Sequence, residues 1–306
     1  MRILITGGSG LLGQYLNIEL SKNHSILTLY HQNIRNCIDY NCTQTDINDK
    51  TEVSEIFKSF KPEVVVHTAA ITNLSAASQM DPRLVYDTNV NATRNIAELC
   101  SIVNARLVYI STDLVYAGYR GSMLTENAKL IPTSLYAETK LMGEVKLKEV
   151  FTNYLILRAA LFYGFGLNKK YNHFHQMYLN LKDKIPVKLF KDQFRTPIEL
   201  GNAAAIIIHL IEKGIINETI NLGGKERVSR FQLGEILCDI AGFDKTLLQK
   251  ISMDDMPDLP KVEDVSMDTT KLRSYGIQLD NIEEAIKKII FKDSFSASQI
   301  VKNHLL

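Results

Sequence analysis

Tyr136 and Lys140 stand four residues apart in the run Tyr136-Ala-Glu-Thr-Lys140. On a helix that spacing puts both side chains on one face. An ammonium beside a phenol favours the phenolate. The pair therefore predicts a tyrosine tuned below its usual pKa of about 10 and usable as an acid or a base. Spacing alone does not select it, because Tyr178 and Lys182 fit the same pattern. Context does. Tyr136 comes after Ser111-Thr112-Asp113, which directly follows the apolar run Leu107-Val108-Tyr109-Ile110. Strand ends of that kind are where open α/β sheets bind ligands. Tyr178 lies in an irregular stretch with no such partner, and its pair with Lys182 reads as an amphipathic helix face with a surface ion.

A second constellation is Gly7-Gly8-Ser9-Gly10-Leu11-Leu12-Gly13. It follows Arg2-Ile3-Leu4-Ile5-Thr6, which reads as a strand, and leads into Leu11-Leu12 and Tyr15-Leu16, which read as a helix. Strand, glycine turn and helix together are the setting of a dinucleotide fingerprint. The glycines allow a tight turn, close approach of backbone to pyrophosphate, and close packing of helix on strand. The helix start then offers free N–H groups and a positive dipole end to phosphates.

The elements that must position these groups alternate between strand and helix through the first half. Ser25–Tyr30, Val64–His67, Leu107–Ile110 and Tyr154–Leu157 read as further strands. Thr51–Phe60 has helical spacing, stopped by Pro62. Asp81-Pro82 offers an N-cap and a first-turn proline for a long helix, and Thr133–Val150 makes a second. This alternation predicts an α/β fold with a doubly wound parallel sheet. After about residue 160 the pattern loosens. Val187–Leu189 and Ile220–Leu222 read as strands, Ala203–Glu212 as helix, and Ser229 as the cap of a helix through Ile240. The acidic stretch Ser252–Thr269 reads as loop. We expect a Rossmann domain over residues 1–160. A smaller substrate-binding lobe over 161–306 would be interleaved with completion of the sheet, leaving a cleft between them.

Composition narrows the classes. The 306 residues are 45% hydrophobic and 23% charged, as in a globular protein. A net charge of +1 gives no electrostatic case for nucleic acid or an anionic membrane. Cys37, Cys42, Cys100 and Cys238 form no C-x-x-C pair and meet no histidine cluster, so no metal site is expected. They read as reduced packing residues of a cytoplasmic protein. The opening strand is not a signal peptide's apolar stretch, and the longest apolar run, Ala203–Ile208, is too short to span a bilayer.

Taken together, the glycine turn, His67-Thr-Ala-Ala70, Asn89-Val-Asn-Ala-Thr93, Ser111-Thr-Asp113, Val115-Tyr116, Tyr136-x-x-x-Lys140 and Leu157-Arg158 resemble the extended short-chain dehydrogenase/reductase family. Ser111-Thr-Asp-Leu-Val-Tyr116, Tyr136 through Glu144, and Asp192-Gln-Phe-Arg-Thr-Pro197 are similar to its dTDP-4-dehydrorhamnose reductase branch. The branch usually reads Gly-Ser-Pro-Thr after Asp-Gln, where this chain has Phe194-Arg195-Thr196-Pro197.

The resemblance implies reduction of a 4-keto nucleotide-linked deoxysugar by NAD(P)H. It makes Tyr136 the proton donor to the carbonyl and Thr112 a second hydrogen bond to that oxygen. Lys140 becomes the grip on the nicotinamide ribose. Cofactor contacts are expected from Gly7, Ser9, Gly10, Leu11, Leu12, Gly13, Arg35, Asp46, Ala69, Ala70, Asn89 and Lys140. Arg195 is similar to an arginine that grips a nucleotide diphosphate, so it is expected on the substrate. Asp113 and His67 are expected to be structural. The helices at 81–102 and 133–150 are expected surfaces for a homodimer.

The end of the second strand bears on cofactor choice. NAD-binding chains usually carry an acid there for the ribose 2′-OH. Here Leu29-Tyr-His-Gln-Asn-Ile-Arg35 has none before Asp39, and Arg35 can pair with a 2′-phosphate. NADP(H) is therefore expected, with NAD(H) as the alternative. Two other functions compete: an epimerase or dehydratase with bound NAD, and a noncatalytic NADP-binding subunit similar to that of methionine adenosyltransferase. Dehydratases usually show an acid pair after the strand-end threonine, whereas this chain reads Thr112-Asp113-Leu114. Intact Thr112, Tyr136 and Lys140 weigh against a purely regulatory role.

Overall fold

Apolar runs such as Ile3-Leu4-Ile5 and Val64-Val65-Val66 are continuous because both faces of the sheet they build are covered, leaving them at most 1% exposed. The computed structural model describes residues 1–72, 80–118, 121–256 and 261–291. One seven-stranded sheet contains β1 (Arg2–Thr6), β2 (Ser25–Tyr30), β3 (Cys42–Gln44), β4 (Val64–His67), β5 (Arg106–Thr112), β6 (Tyr154–Ala159) and β11 (Glu218–Leu222). Its order is β11-β6-β5-β4-β1-β2-β3, and every pair is parallel. The chain reverses direction across the sheet between β1 and β4. That switch point is where a ligand crevice opens in such folds.

Helices cover both faces. On one side Leu12, Leu16 and Leu20 of α1 (Leu11–Leu20) join Ile206, Ile207 and Leu210 of α7 (Leu200–Glu212) against the strands. On the other lie α2 (Lys50–Phe60), α4 (Ala92–Val103) and α5 (Leu135–Val150), contributing Phe57, Ile96, Cys100 and Leu147. Local chemistry sets their ends. Asp49 caps α2 by accepting from the N–H groups of Thr51 and Glu52, and Ser134 caps α5 by accepting from Ala137 N–H.

The second half both completes the sheet, with α7 and β11, and builds a lobe with its own core. Phe174 of α6 (His173–Lys182), Leu189 of β8 (Val187–Phe190), Leu237 of α8 (Arg230–Ala241), Leu248 of β13 (Leu248–Ile251) and Ile286 of α10 (Ile282–Phe291) meet there. Ser229 starts α8 with a reciprocal capping box to Gln232, as its sequence position predicts.

Two features depart from expectation. The strand β3 is an edge of three residues, drawn in by pairing Thr28 to Cys42, with too little apolar pattern to show in the sequence. The long helix after Asp81 starts as expected, with Asp81 accepting from Arg83 N–H at 2.9 Å. It is then interrupted: α3 (Pro82–Tyr86) and α4 are joined by a π-helical turn, Asp87–Asn91. At that turn α5 packs so closely that a Cβ on Gly143 would lie 2.9 Å from the Asn89 carbonyl oxygen. Cys37, Cys100 and Cys238 are buried, Cys42 is half-buried, and all four are free. Residues 257–260 of the Ser252–Thr269 stretch lie outside the described residues.

Candidate active site

The glycine turn makes the tight bend and the close helix-on-strand packing that its spacing predicts. Gly7 has φ +68°, and a Cβ there would stand 2.7 Å from Ala69 N; a Cβ on Gly13 would stand 2.3 Å from the Gly7 carbonyl oxygen. Turn, helix and the loop after β4 are therefore in backbone contact. No side chain caps α1 at Gly10, so the first-turn N–H groups at Leu11, Leu12 and Gly13 suit an anion. Ala69 N–H donates to Thr6 Oγ1 at 3.3 Å, which holds Ala69 and Ala70 across from Gly7. Arg35 Nη1 donates to the Ser9 carbonyl at 2.9 Å. Asp46 follows β3, accepts from Asn48 N–H and Nδ2, and lines a surface groove of about 650 Å³. Asn89 is buried in the π turn. Its side chain is engaged by Ile71, accepting from N–H at 2.9 Å and donating to the carbonyl at 3.2 Å, and it donates to Thr139 Oγ1 at 3.0 Å. It clamps the loop after β4 to α5 one residue before Lys140.

Thr112 ends β5, and its hydroxyl meets the Tyr136 phenol in the first turn of α5. Thr112 Oγ1 also donates to Asp113 Oδ1 at 3.2 Å. The structure corrects one expectation here. The Tyr136 phenol is not lowered by Lys140. Burial pushes it up to about 12, the Asp113 carboxylate adds to the rise, and the Thr112 hydrogen bond only partly opposes it. The reason is where the ammonium goes. Lys140 Nζ stacks 3.9 Å from the centroid of the Tyr109 ring. Burial brings Lys140 down to about 7, opposed by Glu144 one turn further along.

Buried groups brace this corner. Tyr109 Oη donates to the Lys140 carbonyl at 3.3 Å. Glu144 accepts from both Arg158 Nε (3.1 Å) and Nη2 (2.8 Å), and from Ser111 Oγ at 2.6 Å. His67 spans Thr6 and Thr93 at 2.6 and 3.0 Å; burial takes it down to about 3, so it is neutral and structural, as expected.

From the lobe, Arg195 Nε reaches Asp113 Oδ2 at 3.4 Å, and Nη1 donates to the Phe194 carbonyl at 2.9 Å. Arg195 therefore sits at the strand end beside Thr112. Behind it Arg230 donates to Gln193 Oε1 at 3.0 Å. Burial, then repulsion from Arg195, lowers Arg230 to about 9 against the attraction of Asp113. Asp113 therefore pairs with the buried Arg195 and attracts the half-buried Arg230 through space, and Asp264 adds to the attraction on Arg195. Tyr178 packs edge-on against Phe165 and Phe243, at 4.9 and 5.3 Å, far from this chemistry in role as its context predicted.

Sequence reading missed Tyr109, Glu144 and Arg230 as parts of the site. Glu144 is visible in hindsight, four residues after Lys140. Nothing local marks Tyr109 or Arg230.

A parallel sheet in this order, a glycine turn at its first crossover, and Thr112, Tyr136 and Lys140 at the carboxyl end of β5 define an extended short-chain dehydrogenase/reductase. Residues 1–294 match the family described as RmlD substrate binding domain, and the chain belongs to that family. It is 30% identical to a dTDP-4-dehydrorhamnose reductase of Aggregatibacter actinomycetemcomitans, over 94% of this chain and 98% of that one. It is 25% identical to methionine adenosyltransferase 2 subunit beta of Pongo abelii, over 90% and 83%. Its fold matches that of a dTDP-4-dehydrorhamnose reductase from Bacillus anthracis in complex with NADP, with a TM-score of 0.83, 24% identity, and coverage of 95% and 99%. Among the described residues no helix is long and apolar enough to cross a membrane.

Proposed function

We propose that this chain reduces the 4-keto group of a nucleotide-linked deoxysugar, of the dTDP-4-dehydrorhamnose type, using NADPH. The observation that carries the reading is the Thr112–Tyr136 hydroxyl pair beside a buried Lys140, on the strand end next to the glycine turn. The residues present suit a dinucleotide. Uncapped N–H groups on α1 take the pyrophosphate, Lys140 the nicotinamide ribose, and Arg35 a 2′-phosphate. Bound there, the reduced nicotinamide supplies a hydride to the sugar's carbonyl carbon.

The chain's own residues manage the oxygen. Thr112 and Tyr136 direct hydroxyls at it, and Tyr136 donates its proton as negative charge builds. A phenol at about 12 keeps that proton at neutral pH, so the acid is loaded before substrate arrives. The Thr112 hydroxyl, which favours the ionised form of Tyr136, stays on the phenolate left behind. Arg195 and Arg230 grip the diphosphate, for which arginine's fork is suited. The relative named methionine adenosyltransferase 2 subunit beta makes a regulatory role the competing reading; the complete Thr–Tyr–Lys set favours catalysis.

The test is consumption of NADPH in the presence of dTDP-4-dehydrorhamnose. Turnover supports the reductase. Cofactor binding without turnover supports the regulatory reading, and tightly held NAD that is not consumed supports an epimerase. Arg230→Ala leaves the Asp113–Arg195 pair in place. It should raise KM about tenfold, the loss of one charge-assisted contact, with NADPH affinity unchanged.

A further inference from the structure

Lys140 is 3% exposed, so its ammonium has to find partners inside the protein. The buried carboxylate on its own face of α5 is already occupied. Glu144 accepts from Arg158 Nε and Nη2 and from Ser111 Oγ. Lys140 Nζ rests instead on an aromatic face, 3.9 Å from the centroid of the Tyr109 ring. The negative face of a ring holds a cation at that range, and holds it more strongly where water is excluded.

Tyr109 is fixed for this contact from several sides. It lies within β5 and is fully buried. Its Oη donates to the carbonyl of Lys140 itself at 3.3 Å, so one side chain holds Lys140 by both its backbone and its ammonium. A glycine on α5 makes room for that hydroxyl: a Cβ on Gly143 would stand 2.3 Å from Tyr109 Oη. Burial, then Glu144 and Tyr136, push the Tyr109 phenol up, so the ring is neutral. The His67 ring lies 5.7 Å from it, tilted by 32°. Thr93 Oγ1 gives its proton to the Asn89 carbonyl at 2.8 Å, so it accepts from His67 Nε2–H, and Nδ1 accepts from Thr6 Oγ1. In that tautomer His67 is neutral and sets no charge against Lys140.

We propose that Tyr109 is a positioning residue for the reduction, its ring seating the Lys140 ammonium and its hydroxyl fixing the backbone that carries it. The role rests on the NADPH reading above and deepens it. A buried ammonium with no partner gives up its proton. A carboxylate partner would keep the charge but occupy the N–H donors. An aromatic face keeps the charge and leaves those donors to the ribose hydroxyls of an arriving cofactor. The cation is then in place before binding, which reduces the ordering cost of association.

The readout is the pH dependence of NADPH affinity, by calorimetric titration of the whole protein between about pH 6.5 and 9. Affinity falls as Lys140 loses its proton, and Lys140→Met should abolish the fall and so assign it. The groups facing Lys140 are the Tyr109 ring on β5, Glu144 on α5 and the neutral His67 on β4. Tyr109→Phe keeps the ring and should leave the midpoint within about 0.3 pH unit. One, two and then three fluorines on that phenylalanine drain charge from the ring face with little change of shape. They should lower the midpoint in steps, by about one pH unit in all. Tyr109→Leu should lower it by a similar amount. If the leucine variant fails to fold, the fluorinated series, which keeps the ring, still decides. A midpoint indifferent to fluorination, as a packing role requires, overturns the seat and leaves the NADPH reading intact. A wild type that does not bind NADPH overturns that reading, and the seat with it.

Discussion

With Tyr136 at about 12 and Lys140 at about 7, the two groups start from opposite sides of the proton balance. At neutral pH the phenol is loaded and the ammonium is near its midpoint. The groups facing Lys140 are the Tyr109 ring, the Glu144 carboxylate and a neutral His67. An anionic cofactor favours the charged form, so its binding at about pH 8 should take up protons at Lys140. Calorimetry in buffers of different ionisation enthalpy checks this, and Lys140→Met should abolish the uptake. The same lowered pKa has a stability consequence. Between about 7 and the ordinary lysine value of 10.5 the unfolded chain binds the proton and the folded one does not. The Lys140 contribution therefore makes the free protein more stable as pH rises through that window, and Lys140→Met removes that slope. Tyr136→Phe removes the proton donor while keeping the ring. It should lower kcat by about 10²–10⁴-fold with NADPH affinity preserved, read by steady-state kinetics and titration.

At the scale of elements, the site is a junction of β5, the π turn and α5. The Glu144–Arg158 pair ties α5 to β6, and Ser111 on β5 shares its carboxylate. Arg158 Nη1 reaches on to Tyr116 Oη at 3.0 Å and the Glu126 carbonyl at 2.9 Å. Both charges are at most 3% exposed. Glu144→Ala strands a buried guanidinium and should cost about 3–5 kcal/mol in urea unfolding. Replacing both partners, Glu144→Leu with Arg158→Met, should recover much of that loss, since the apolar pair leaves no buried charge. If the pair were merely a surface contact, Glu144→Ala would cost less than about 1 kcal/mol.

At the scale of the molecule, the second half is woven into the first. The strand β11 pairs with β6 from Glu218↔Leu155 to Leu222↔Ala159, and α7 packs with α1 in one core. The second half therefore shares both the sheet and the core of the first. The helices expected to pair two copies carry apolar side chains to solvent. Leu84 and Tyr86 of α3 are 44% and 37% exposed, and Val145 of α5 is 40% exposed. A homodimer through these helices should show twice the chain mass in analytical ultracentrifugation. Val145→Glu should shift it to the monomer, because a buried unpaired charge opposes association. An unchanged mass would place the contact elsewhere.

The sequence alone determined what is local or periodic. Apolar runs bounded by turns gave the order of strands and helices. Glycine spacing after β1 located the tight turn, since only backbone without a Cβ can pass so close to Ala69 and Gly13. The Tyr136-x-x-x-Lys140 spacing put two side chains on one helical face, and the strand-end Ser111-Thr112-Asp113 singled that pair out from Tyr178 and Lys182. Tertiary structure decided everything that depends on what a side chain meets across the fold. Burial and Asp113, not Lys140, set the Tyr136 phenol, because the ammonium finds the Tyr109 ring first. Asn89 became a clamp rather than a free polar group through contacts with Ile71 and Thr139, 18 and 50 residues away. Desolvation and charge act through space, and sequence separation carries no record of either.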